Sequence, residues 1–115
     1  MYLKKTAETS TLDIVFNLDI FNNPNDSWLV TKASELVDKG IVTEDMLDMP
    51  SGEFADVIFN EYLNNDASYD EIKNEAINQC KEIDSNNTLL VKNVLFDLES
   101  SIANEIQGIC VDILE

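Results

Sequence analysis

The chain has 115 residues, 44% of them hydrophobic, and sets 23 acids against seven lysines, with no arginine or histidine, for a formal net charge of −16. That length predicts one domain able to bury a core unaided, and the apolar share argues against global disorder. The sign of the charge argues against a nucleic-acid or anionic-membrane binder, whose affinity would come from Lys and Arg. Three glycines and two prolines are too few for a loop-rich or many-stranded fold.

Residues 1–9 are expected to be a flexible tail, and 10–115 a single helical domain. Lys4 and Lys5 are not followed by the apolar run of a signal peptide, and no segment approaches the roughly 18 apolar residues of a membrane helix. A cytoplasmic protein is expected. Ser10 or Thr11 looks like a helix cap. The segment after it carries two periodicities: Leu12, Ile14, Phe16, Leu18 and Ile20 alternate as in a strand, whereas Leu12, Val15, Phe16 and Ile20 form a helical face. No other segment alternates well enough to pair with a strand, so 12–21 is expected to be helix, with strand the alternative.

Asn22-Asn23-Pro24-Asn25 reads as a loop, with Asp26 or Ser27 capping a helix that buries Trp28, Leu29, Ala33, Leu36 and Val37. Gly40 stands where a left-handed residue ends such a helix. Thr43 should start a short acidic helix, Glu44 to Met49, stopped by Pro50. Ser51 should cap the next, with Phe54, Val57, Ile58 and Tyr62 on one face and Glu53, Asp56, Asn60 and Glu61 on the other. Ser68-Tyr69-Asp70-Glu71 matches a capping box ahead of Tyr69, Ile72, Ala76, Cys80 and Ile83. After a turn at Ser85-Asn86-Asn87, Val91, Leu95, Leu98, Ile102, Ile106, Ile109 and Ile113 form the apolar stripe of a long final helix. Leu90, Val94, Ala103 and Cys110 widen it, and Gly108 is a possible kink. The expected fold is all-α, a bundle of five to six helices around a long C-terminal core helix. Cys80 and Cys110 both fall on apolar faces and are expected to be buried free thiols.

The missing chemistry points away from catalysis. Without histidine there is no imidazole base, no histidine triad and no common metal-ligand set. Without arginine there is no bidentate phosphate clamp, and three scattered glycines make no phosphate-cradling loop. No EF-hand loop is present. The expectation is a protein that is not an enzyme and holds no cofactor and no metal.

The positive signal is a lysine-free block. Between Lys39 and Lys73 lie Glu44, Asp45, Asp48, Glu53, Asp56, Glu61, Asp66, Asp70 and Glu71, nine acids without one base. A solvated helix normally mixes signs, because opposite charges one turn apart stabilise it. Acids in first helical turns answer to the helix dipole, which accounts for part of the block but not for the absent lysines. A basic protein is the expected partner. Glu44, Asp45, Asp48, Glu53, Asp56, Glu61, Asp66 and Asp70 are the candidate contacts, with Phe59, off the main apolar stripe, as an aromatic anchor.

A small acidic helical chain without a catalytic set resembles the bacterial immunity proteins that neutralise nuclease toxins. Pro50-Ser51-Gly52, entering an acid-flanked aromatic helix, is similar to the partner-binding helix start of the DNase-colicin immunity family. The paired tyrosines of that motif are replaced here by Ile58-Phe59, and the long C-terminal helix has no counterpart, so the likeness is of kind. It implies a cytoplasmic inhibitor that blocks a basic toxin domain, such as a nuclease. The alternatives are a phage anti-defence protein mimicking DNA and a helical adaptor or regulatory subunit.

Overall fold

The computed structural model describes residues 11–22 and 28–115, and these contain six α-helices, two single 3-10 turns and no strand. The expected tail at 1–9, the loop residues 23–25 and the proposed caps Ser10, Asp26 and Ser27 lie outside the described residues. Segment 12–21 is helical, in two pieces: α1 (Thr11–Phe16) and α2 (Asp19–Asn22). Its buried residues are Ile14, Val15, Leu18 and Ile20, while Leu12 and Phe16, which the expected helical face and the alternative strand face both include, are 46% and 47% exposed. The break is held by Asn22, whose side-chain amide donates to the carbonyls of Phe16 and Leu18.

Helix α3 (Trp28–Asp38) buries Ala33 and Leu36 and ends as its glycine predicts. Gly40 has φ +76°, its N–H donates to Val37 O at 3.0 Å, and Ile41 N–H reaches Leu36 O at 3.0 Å, the paired bonds of a Schellman motif. The acidic segment that follows is shorter than expected, a 3-10 turn at Glu44–Met46 with no side-chain bond from Thr43. Helix α4 (Ser51–Glu61) takes Pro50 at its cap, with ψ 144°, so Ser51 is its first helical residue and not its cap. Proline suits this boundary because an N–H here would have no helical acceptor.

Helix α5 (Ala67–Ile83) starts earlier than the capping box predicts. Asp66 caps it, accepting from Ser68 N–H at 2.8 Å and Ser68 Oγ at 2.5 Å. Ser68 is thereby freed from capping, and its hydroxyl accepts the indole N–H of Trp28 at 2.8 Å. Tyr69, Ile72, Ala76 and Cys80 point inward as expected, but Ile83, in the last turn, is 38% exposed.

Helix α6 (Thr88–Leu114) is the axis of the bundle, capped by Asn87, whose side chain accepts Leu90 N–H at 2.9 Å. Its 27 residues run unbroken through Gly108, about 40 Å at helical rise. That rod sets the elongated shape of 50 × 25 × 25 Å. Helices α1, α3, α4 and α5 all pack on it. Thr11 of α1 hydrogen-bonds Asp97, and Tyr69 of α5 donates to Glu99 at 3.4 Å. Towards the other end, Cys110 Sγ lies 4.0 Å from the Ala33 carbonyl of α3.

This arrangement corrects the expected stripe. The fully buried positions are Val94, Leu98, Ile102, Ala103, Ile106 and Cys110, while Val91, Leu95 and Ile109 are half-buried and Ile113 is 42% exposed. Different neighbours cover different sides at different heights, so the buried face travels around α6 and follows no straight seam. Cys80 and Cys110 are both buried and unpaired, and burial pushes both thiols up from their ordinary pKa.

Candidate functional site

The lysine-free block folds as the turn 44–49, α4, a second 3-10 turn at Leu63–Asn65 and the start of α5. Its apolar residues fix which way the acids face. Phe54, Ile58, Phe59 and Leu63 are buried, and Met46, Leu47 and Met49 pack partly against the same core. The carboxylates between them are turned out: Glu44, Asp45, Asp48, Glu53, Asp56 and Glu61 are all exposed. Among the described residues, none of these six has a lysine within ion-pair distance.

One residue outside the block holds its first half in place. The side-chain amide of Gln107, on α6, donates to the carbonyls of Met49 at 3.0 Å, Leu47 at 3.2 Å and Met46 at 3.4 Å. The Met46 carbonyl also accepts Met49 N–H at 3.1 Å, so what Gln107 adds is chiefly a donor for the Leu47 and Met49 carbonyls. Nothing in the periodicity of α6 singled it out. A polar residue on the edge of an apolar stripe, opposite a turn with surplus carbonyls, is recognisable only once the two are docked.

The other three candidates stand differently. Phe59 is 3% exposed, its ring centroid 5.0 Å from that of Tyr69, so it is a core residue and not an anchor. It lies off the Phe54–Ile58 stripe because α5 packs onto that flank, a covering no local pattern reveals. Asp70 is exposed but sits 3.7 Å from Lys73, one turn on. Asp66 is mostly buried and lies 2.6 Å from Lys32 of α3.

That last pair belongs to a network closing α3 against α5. Lys32 also reaches Glu35 at 3.2 Å, Tyr62 donates its hydroxyl to Glu35, and Lys32 and Lys39 each lie 5.7 Å from the Tyr62 ring centroid. The Tyr62 hydrogen bond holds Glu35 below its ordinary pKa, with Lys32 adding to it, and the same bond raises Tyr62. Burial opposes the charged forms of Asp66 and Lys32, but their mutual hydrogen bond, with Ser68 on Asp66 and Glu35 on Lys32, outweighs it. Asp66 is lowered and Lys32 raised. The block is therefore not wholly uncompensated, since a lysine distant in sequence returns to neutralise its one half-buried carboxylate.

An open cleft of about 230 Å³ lies beside this network, lined by Asp19, Ile20, Trp28, Ser68, Glu71, Ile72 and Glu75. Burial raises the Glu75 pKa there, and the nearby Asp19 charge raises it further. Among the described residues no group of three or more His, Cys, Asp or Glu is placed to hold a metal ion, and no helix is long and apolar enough to cross a membrane.

In comparisons with known proteins, no family model, no curated protein and no solved structure matches the chain. The site therefore rests on its own geometry. It offers six outward carboxylates on one contiguous segment, backed by core residues and by Gln107, and it can act on a partner by charge and shape.

Proposed function

We propose that this chain is an inhibitor of the immunity-protein kind, which binds a basic protein domain through the face formed by residues 44–61. The observation that supports this is the exposure of Glu44, Asp45, Asp48, Glu53, Asp56 and Glu61 without a lysine partner among the described residues. Within the same block, Asp66 and Asp70 do have lysine partners, which leaves these six as its outward-facing unpaired set together with Glu71. Carboxylates left unpaired on a packed support repel one another, and a basic surface that docks there relieves that repulsion while it is steered in at long range. A nuclease toxin fits the description, because its nucleic-acid cleft is necessarily cationic. On this reading the chain works by obstructing that cleft.

The test is a pull-down from the native cell followed by binding measurements on the triple variant Asp48→Lys, Asp56→Lys, Glu61→Lys. Association should slow by roughly tenfold or more, and the wild-type rate should fall steeply with added salt. An affinity untouched by the triple reversal refutes this face. Competition with duplex DNA, with losses spread over acids throughout the molecule, would point instead to DNA mimicry.

A further inference from the structure

The most exposed large hydrophobic residues, Phe96 at 69% and Leu89 at 64%, both lie on α6, and the sequence periodicity assigned neither to an apolar face. They are seven residues apart, so they stand two turns and about 10 Å apart on one side of the helix. Between them on the same side are Lys92 and Asn93, also exposed, whereas Leu90, Val91, Val94, Leu95, Asp97 and Leu98 are partly or fully covered by the bundle. Positions 89, 92, 93 and 96 thus form one uncovered stripe with the i, i+3, i+4, i+7 spacing of a helix-pairing seam.

The charge around this stripe is as unusual as its exposure. Asp84 and Asp97 bracket the longest stretch of the chain without a carboxylate, residues 85–96, whose only charge is Lys92. A basic partner gains nothing there. Two copies of a chain carrying −16 repel each other across almost any shared surface, and this stripe itself brings no carboxylate to such a meeting.

We propose that α6 pairs with α6 of a second copy through Leu89, Lys92, Asn93 and Phe96. The helices run antiparallel about a two-fold axis between positions 92 and 93. That symmetry sets Phe96 of each copy against Leu89 of its partner, which is the self-complementary match an isologous interface needs. Asn93 meets Lys92 near the axis, where the lysine stem covers the partner's aromatic ring and its ammonium stays in water. The turn at 46–49 docks on α6 at Gln107, eleven residues beyond Phe96 and about 16 Å along the helix, so pairing leaves that end of the acidic segment uncovered. With about two turns of helix in contact from each copy, the interface is smaller than a standard specific one and gives a weak, concentration-dependent dimer.

Sedimentation velocity of the full chain over a concentration series tests this. A monomer-to-dimer shift is expected, and it should strengthen as salt screens the like net charges. That salt response is opposite in sign to the one expected of the acidic face with a basic partner, so the two readings fail separately. Phe96→Glu should weaken the dimer roughly tenfold or more, as charge on a buried aromatic anchor does. Val30→Glu, at a 51% exposed position on α3, should leave it intact, with circular dichroism showing both variants folded. A single monomeric species at all concentrations and salts overturns the proposal, as does a dimer that survives Phe96→Glu.

Discussion

Phe59 and Glu75 show how far a side chain's role depends on what another part of the chain brings to it. Phe59→Ala should destabilise the protein by about 3–5 kcal/mol, read as a lowered urea midpoint, because it opens a cavity between α4 and α5. Asp56→Ala, one turn earlier and exposed, should stay within about 0.5 kcal/mol. Equal effects at the two positions would contradict the assignment of Phe59 to the core. Glu75 shifts in the opposite direction from Asp66 and Glu35. Burial and Asp19 raise its pKa, so ionising it works against the fold, and the deficit grows as pH rises past the ordinary glutamate value. Glu75→Gln keeps an acceptor for the Asp19 N–H and removes the charge. It should therefore raise Tm at pH 7 and change it little at pH 4; a loss at pH 7 would sink this account. Neither role could be read from the sequence, where Phe59 was an aromatic off its stripe and Glu75 one acid among lysines.

At the scale of elements, helix existence was legible and helix ends were legible only where a single residue decided them. Gly40 ended α3 as expected because a left-handed conformation admits few other residues. The start of α5 was misread because two capping residues, Asp66 and Ser68, compete within one turn, and Lys32 favours the carboxylate. Segment 12–21 is ambiguous in sequence because Leu12, Phe16 and Ile20 fit both periods; docking against α6 through Thr11 and Asp97 accompanies the helical outcome. The periodicity of α6 names Val91, Leu95, Ile109 and Ile113 in its stripe, but four helices share its circumference and leave these only partly covered or exposed. The acidic segment shows the same limit, since its residues were nameable but their support was not. Gln107→Leu removes the donor shared by the Leu47 and Met49 carbonyls, while Met46 keeps that of Met49 N–H, and should cost about 1–2 kcal/mol. Amide exchange at residues 46–49 should accelerate while that of the middle of α6 is unchanged. Uniform acceleration would mean that Gln107 supports the whole bundle and not the turn.

For the whole molecule, two opposing electrostatic effects set the response to solvent. The network around Lys32 favours the fold across the neutral range. Asp66 and Glu35 have lowered pKa values, so their contribution is complete above the ordinary carboxylate pKa and is lost as pH falls through the lowered values. Lys32 and Tyr62 are raised, so theirs is complete below their ordinary values and is lost as pH rises through the raised ones. Against this stands the repulsion among 23 carboxylates, which seven lysines cannot balance. The repelling charges are exposed and separated, whereas the Lys32–Asp66 pair is short and its side chains only 12% and 13% exposed. Salt therefore screens the repulsion far more than the pair, since going from about 0.01 to about 1 M shortens the Debye length from about 30 Å to about 3 Å. Thermal melts at pH 7 should show Tm rising over that range of sodium chloride, and rising less at pH 5, where partial protonation has already reduced the charge. A Tm that falls with salt would mean that the ion pairs, and not the surplus of acid, dominate the free protein's electrostatics. The acidic face would then have no excess repulsion for a basic partner to relieve.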